Sequence, residues 1–319
     1  MNKEIKELRQ RYMEGVMDKK AYADAMMQYH GVLMAYPDLI TRSPYIQSIE
    51  ISPEGVILNI VDDLVMPQAV KMCLSSERDS RCASMWVLDF GEVEATELKM
   101  FRRITDLINP RSFFDIGANE GWYSFHMMKQ FPHIKCYSFE PVYQTYERAV
   151  KNLRINGQTT DGLMNIGLSD KNGTAYFYFN EAETGAASLR NIRKIDNESK
   201  IECQLRRLDD IVSEKNIDSM DLIKCDVEGN ELFALKGGLQ SIAKFKPVIF
   251  CEMLRKWCAD FGYHPNDIIK LLKDLGYSCY RIVENRLKEI LTVTDETIET
   301  NFFFLHTDKH GNVIVELTR

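Results

Sequence analysis

The chain has 319 residues, 45% of them hydrophobic and 27% charged, enough apolar material for one large domain with an appendage. Its formal net charge of −7 gives no general attraction to phosphate backbones, so nucleic acid is not expected as a partner. No apolar run approaches the roughly 18 residues that a membrane-spanning helix needs. The first thirty residues mix acids and bases with no signal-peptide pattern. The eight cysteines show no C-x-x-C and no Cys/His ligand spacing, and Cys136, Cys225 and Cys251 sit in apolar runs. Reduced, structural cysteines in a cytoplasmic protein are the expectation.

From Asn2 to about Tyr36 the period is helical. Ile5, Leu8, Tyr12 and Val16 fall on one stripe; after Asp18, an N-cap residue type, Tyr22, Ala25, Met26, Tyr29 and Leu33 form another. These stripes must be covered either by the rest of the monomer or by a second subunit, giving a homodimer through the N-terminal helices. Pro37 and Pro44 should bracket a connector. Ile46 to Ile60 alternates around Pro53-Glu54-Gly55 as a β-hairpin, Met85 to Phe90 reads as a further strand, and Glu94 to Leu107 as a helix. Residues 1 to 90 are therefore expected to be an accessory region, and 91 to 319 the main domain.

The most informative stretch is Ser112 to Ser124, SFFDIGANEGWYS. A short apolar strand stops at Asp115-Ile116, turns through Gly117 and Gly121, and enters a helix bearing Tyr123, Phe125, Met127 and Met128. Glycines at such a turn admit backbone angles closed to other residues and let a ligand lie against the main chain. A second strand, Ile134 to Phe139, ends on Glu140, where a carboxylate can accept the hydroxyls of a ribose. The dinucleotide fingerprint requires a third glycine to admit a pyrophosphate, and Asp115 would repel one. Asp115 and Glu140 together suit an adenosine joined to a cationic methionine, S-adenosylmethionine.

Downstream, a helix is expected from Val142 to Ile155, capped by Asn156-Gly157, then a third strand at Leu163 to Ile166. Gly173 to Asn180 and Ile201 to Leu205 alternate as strands around a polar stretch, Glu181 to Ser199, long enough to act as a lid. The fourth strand, Asp221 to Cys225, delivers Asp226, Glu228 and Gly229. A helix follows from Asn230 to Ala243, then a fifth strand from Pro247 to Cys251 delivering Glu252, and a helix from Asn266 to Leu275. Tyr277 to Val283 and Asn301 to Leu305 are the last two strands.

The DIGANEGWYS turn, the Phe139-Glu140-Pro141 that follows the second strand, NIGLSD at 165 to 170, LDDI at 208 to 211 and DLIKCDVEGNE at 221 to 231 stand in an order and spacing that resembles the FkbM-type methyltransferases. The resemblance covers about residues 90 to 305. It implies an α/β, class I, Rossmann-like methyltransferase fold with a mostly parallel seven-stranded sheet, a C-terminal antiparallel hairpin and an N-terminal helical and small β appendage. It implies S-adenosylmethionine as donor, with Asp115, Gly117, Ala118, Asn119, Gly121, Trp122 and Tyr123 toward the methionine end. Glu140 and Pro141 would be at the ribose, Gly167 and Leu168 at the adenine edge, and Asp226 close by. The acceptor it suggests is a small molecule or glycan methylated on a hydroxyl.

Methyl transfer from a sulfonium neutralises charge, so the protein chiefly aligns donor and acceptor and excludes water. Deprotonating the acceptor is the step that needs a side chain, and Asp226, Glu228 and Glu252 are the candidate bases. The same three carboxylates are a conceivable but unsupported oxygen set for a divalent cation, and no metal is expected. Two other classes stay open: a non-catalytic subunit of the same fold, and a nicotinamide-dependent oxidoreductase, which the missing third glycine disfavours.

Overall fold

The computed structural model describes residues 2–319 except 43–44, 63–65, 75–81, 91–92, 180–186 and 192–198. Helices α1 (Asn2–Met13) and α2 (Lys19–Arg42) open the chain. Asp18 caps α2 by accepting the Ala21 N–H at 2.8 Å, and Tyr12 stacks on Tyr22 across the pair. Pro37 does not end α2 but lies inside it, because Tyr36 and Ile40 on either side pack against the core and carry the helix across the missing donor. Met27, Val32 and Met34 of the same helix remain exposed.

The expected hairpin is present as β1 (Ile46–Ser52) and β2 (Gly55–Asp62), and an unanticipated β3 (Met66–Cys73) completes a three-stranded antiparallel sheet in the order β1-β2-β3. Met85 to Phe90 is not a strand. It belongs to helix α3 (Ala83–Phe90), whose buried residues Ser84, Val87 and Leu88 follow helical spacing. A six-residue apolar run lacks the length that distinguishes the two periods. Helix α4 (Ala95–Ile108) buries Leu98, Met100, Phe101 and Ile104.

The main sheet begins with β4 (Ser112–Ile116), α5 (Trp122–Gln130), β5 (Lys135–Phe139), α6 (Tyr143–Ile155) and β6 (Leu163–Met164). A small sheet of β7 (Gly167–Leu168), β8 (Gly173–Phe179) and β9 (Ser199–Arg206) intervenes in the order β7-β9-β8. The chain then forms α7 (Leu208–Glu214), β10 (Leu222–Cys225), α8 (Glu231–Lys236), α9 (Leu239–Phe245), β11 (Val248–Glu252), α10 (Arg255–Asp260) and α11 (Pro265–Lys273). It closes with β12 (Tyr277–Val283), β13 (Arg286–Glu289), β14 (Asn301–His306) and α12 (Gly311–Thr318).

The large sheet has eight strands in the order β13-β12-β14-β11-β10-β4-β5-β6. Strands β6, β5, β4, β10 and β11 are parallel, and β14 inserts antiparallel between β11 and β12. This is the class I methyltransferase arrangement, with β13 added as an eighth strand at the edge. The helix expected from Asn230 to Ala243 is broken in two at Gly237-Gly238. A Cβ on Gly237 would stand 2.0 Å from the Ser169 carbonyl oxygen, so the chain must bend there, and Asp209 caps the second half through the Ser241 N–H at 2.8 Å.

Alternate residues of β4 feed two apolar layers. Phe113 enters one with Leu222, Phe250 and Phe303, and Phe114 the other with Ile223, Ile249 and Phe304. The first layer extends through Leu58, Val70 and Met72, so the three-stranded sheet shares the core of the large one. Asn152 of α6 is fully buried at that join: its side chain accepts from the Cys73 N–H and donates to the Glu120 carbonyl, both at 2.9 Å. Asn152→Ala leaves both backbone groups unsatisfied and should lower stability by about 2–4 kcal/mol in chemical denaturation, with amide exchange in β3 accelerating most.

Candidate functional site

The chain order places a switch point between β4 and β10. After β4 the chain runs outward to β5 and β6, then returns to the other side of β4 at β10. Ligands of open α/β sheets bind in the crevice that opens beyond the strand ends at such a point.

Two glycines shape the crevice differently. Gly117 has φ +83°, and a Cβ there would stand 1.8 Å from the Asp226 carbonyl oxygen, so only glycine lets the turns after β4 and β10 meet. The Gly117 and Ala118 N–H groups both donate to the Phe139 carbonyl at 3.0 Å, and the Asp226 N–H donates to the Ile116 carbonyl at 3.0 Å. Gly121, at φ +81°, starts α5 against Ala149 and does not line the cleft.

The cleft opens to solvent at this switch point and spans about 930 Å³ with the solvent at its mouth included. Gly117, Ala118, Asn119, Trp122, Tyr123, Glu140, Pro141, Gly167 and Leu168, all expected there from the sequence, line it, as do Asp226 and Glu228. Glu140 is buried, and its two carboxylate oxygens accept from the Asn119 N–H at 3.0 Å and the Val142 N–H at 2.9 Å. Each oxygen keeps a second lone pair. Burial, outweighing these two bonds, pushes its carboxyl up to about 7.

Asp115 is placed differently from the sequence expectation. Its side chain lies buried beneath the turn rather than in the cleft, accepting from Ser124 Oγ at 2.6 Å, and burial raises its carboxyl above the usual range. Glu252 also lies outside the cleft lining. Burial first, and then the neighbouring carboxylates Asp226 and Glu228, hold its carboxyl well above the usual range. The lid stretch falls mostly outside the described residues. Its Ala187 lines the cleft, and Ser188 Oγ donates to the Glu228 carbonyl at 2.7 Å.

Among the cleft residues that escaped the sequence reading are Lys224 and Glu94. Lys224 is buried inside β10, its Nζ 2.8 Å from Asp226 Oδ2 and 4.9 Å from the centroid of the Tyr123 ring. Asp226, Glu94 and Asp115 together raise the Lys224 ammonium against the opposing effect of burial. A lysine within Leu-Ile-Lys-Cys was a usable signal, since a lysine in a buried strand requires an anionic partner. Glu94 precedes α4 in left-handed conformation, φ +50°, and accepts from the Tyr123 hydroxyl at 2.6 Å. Glu231 organises the turn after β10 from behind: its Oε1 accepts from the Val227 and Gly229 N–H groups, and its Oε2 from the Tyr263 hydroxyl.

A match to the methyltransferase FkbM domain spans residues 115–279, more than half of the chain and all of this turn geometry. The chain belongs to the FkbM methyltransferase domain family. It is 29% identical over 151 residues to methyltransferase sdnD of Sordaria araneosa, covering 39% of this chain and 58% of that protein. It is 29% identical over 166 residues to the 2-O-methyltransferase NoeI of Sinorhizobium fredii, covering 47% and 67%. With the hexuronic acid methyltransferase AglP of Haloferax volcanii it shares 26% over 166 residues, covering 52% and 62%. The chain thus spans between 58% and 67% of the length of these relatives. Among the described residues, no group of three or more His, Cys, Asp or Glu side chains is arranged to hold a metal ion.

Two substitutions test the site's construction. Gly117→Ala should lower stability by at least about 2 kcal/mol in thermal unfolding, since the new Cβ overlaps the Asp226 carbonyl. Lys224→Met should cost about 3–5 kcal/mol near neutral pH, because it leaves buried carboxylates uncompensated. Without the ammonium, the folded-state carboxyls of Glu94 and Asp115 rise further above their unfolded values. The folded variant then binds protons that the unfolded chain does not, so its deficit should shrink as pH falls from 8 to 5 in denaturation measured at each pH.

Proposed function

We propose that this protein is an S-adenosylmethionine-dependent methyltransferase that methylates a hydroxyl of a sugar or other small hydroxylated acceptor. The observation that carries the donor assignment is the Glu140 carboxylate. It is fixed by two backbone amides at the wall of a switch-point cleft, with one lone pair on each oxygen left for the two hydroxyls of a ribose. The rest of the lining fits an adenosyl ligand. Gly167, Leu168 and Phe177 supply apolar surface for a base, and Asn119 Oδ1 and Trp122 Nε1 are buried polar atoms with no hydrogen-bond partner among the described residues. The FkbM family membership supports methyl transfer, and the names of the relatives NoeI and AglP support a hydroxylated or sugar acceptor.

The bound donor supplies an electrophilic methyl group on sulfur. The chain's own residues do the remainder: the Gly117 turn brings the β4 and β10 ends into contact, and apolar walls keep water from the reacting atoms. Asp226 and Glu228 line the cleft and take the acceptor's hydroxyl proton. Lys224 occupies Asp226 Oδ2 and leaves Oδ1 for this role. Glu252 does not line the cleft, which favours Asp226 and Glu228 over it as the base. Residues 1 to 90 act as an accessory region, contributing Ala83 to the cleft wall. A dinucleotide is disfavoured because Gly117 and Gly121, four residues apart, fit no register of the three-glycine fingerprint.

Calorimetric titration with S-adenosylmethionine, S-adenosylhomocysteine and NAD tests the reading. Saturable binding is expected for the two adenosyl ligands, with none for NAD and none by Glu140→Ala. Ribose hydroxyls donate to the ionised carboxylate, so affinity should be constant above pH 7. Below it, affinity should fall by up to about tenfold per unit as Glu140 takes up its proton. Binding of NAD alone would sink the donor assignment.

A further inference from the structure

The methionine end of an S-adenosylmethionine molecule is a zwitterion, and Asp115 does not reach the cleft to meet its ammonium group. Another carboxylate must take that place if the donor reading, on which this inference rests, is right. Asp226, bound through Oδ2 by Lys224 at 2.8 Å, keeps its other oxygen for the acceptor's proton in the proposed reaction. Glu140 is committed to two backbone amides at the ribose position, and Glu120, which also lines the cleft, is paired with Arg148. Glu228 and Glu94 also line the cleft, and Glu94 is the one whose carboxylate is anchored by the Tyr123 hydroxyl.

We propose that Glu94, delivered by the segment that precedes the FkbM-matched residues, holds the ammonium group of the donor's methionine and thereby selects for an intact amino acid. Three observations carry the assignment. Glu94 lines the cleft, and its side chain is fixed from one side by the Tyr123 hydroxyl at 2.6 Å, which leaves lone pairs on its carboxylate for a cationic donor. Its backbone is held in the left-handed region at φ +50°, a conformation unfavourable for glutamate that persists where surrounding structure over-determines it. Nor is the side chain spent on capping α4.

Lys224 makes its ion pair with Asp226 at 2.8 Å, and Glu94 and Asp115 also act on its ammonium, so a cation bound here would stand among acidic groups. Trp122 is a second pointer to a zwitterion. Its indole N–H, on a side chain only 8% exposed and lining the same cleft, lacks a hydrogen-bond acceptor among the described residues. A ligand carboxylate would supply one.

The test compares S-adenosylhomocysteine with its deaminated analogue, S-adenosyl-4-thiobutyrate, by calorimetry on the full chain. Wild type is expected to prefer the amine-bearing ligand by about 10-fold or more, the scale of a charge-assisted hydrogen bond. In Glu94→Gln, which still accepts from Tyr123, that preference should fall to within about twofold, while affinity for the deaminated analogue is retained and reports that the cleft is folded. Tyr123→Phe, which frees the carboxylate from its anchor, should reduce the preference partway and provides the reading if Glu94→Gln does not fold. A preference that survives both substitutions, or an equal loss of both ligands in folded Glu94→Gln, would overturn the role of Glu94. Absence of S-adenosylhomocysteine binding by wild type would remove the donor reading and this inference with it, whereas binding without a preference overturns Glu94 alone.

Discussion

The backbone contact between Gly117 and Asp226 is the constraint on which the site depends. The turns that leave β4 and β10 approach so closely that no side chain can stand between them, and the Asp226 N–H is bonded to the carbonyl at the end of β4. Parallel pairing from Leu222↔Phe113 to Cys225↔Ile116 brings both strands to the same edge, and the switch in chain direction opens the space beyond it. The cleft, its acidic floor and the buried Glu140 carboxylate are arranged around this one point of contact.

The floor of the cleft is an unusual charge distribution for a protein interior. Lys224 is buried in a central strand, and three carboxyls share its ammonium. Such an arrangement is costly as a stabilising device, since an apolar residue would fill the strand with less desolvation. It holds Asp226 in a fixed position at the end of β10, at the floor of the cleft. The fold supplies the rigidity for this: Phe113 and Phe114 anchor opposite faces of β4, and Glu231 with Tyr263 braces the turn after β10 from behind.

The N-terminal region takes part in this architecture. Leu58, Val70 and Met72 of the small sheet merge with the apolar layer under α4 and α5, and Asn152 ties β3 to α6 and to the turn itself. Ala83 and Glu94 reach the cleft from outside the span matched to the FkbM domain. The family-shared part of the chain therefore builds the crevice, and the preceding segment finishes one of its walls.

What the sequence determined by itself was the set of local signals: the SFFDIGANEG turn, the acid after the second strand, the Asn156-Gly157 pair after α6 and the order of the parallel strands. These are short-range features in which glycine conformation, strand alternation and chain order leave direct marks on residue type. Tertiary structure decided the rest. Met85 to Phe90 became helical and Pro37 was carried through α2 because packing against distant residues outweighs local preference. Asp115 was drawn beneath the turn and Glu94 brought into the cleft by the way α4 and α5 dock on the sheet, bringing together residues 29 positions apart in the chain at Glu94 and Tyr123. Which carboxylate faces the ligand depends on the side of a strand or helix that packing covers, and that is fixed only when the elements assemble.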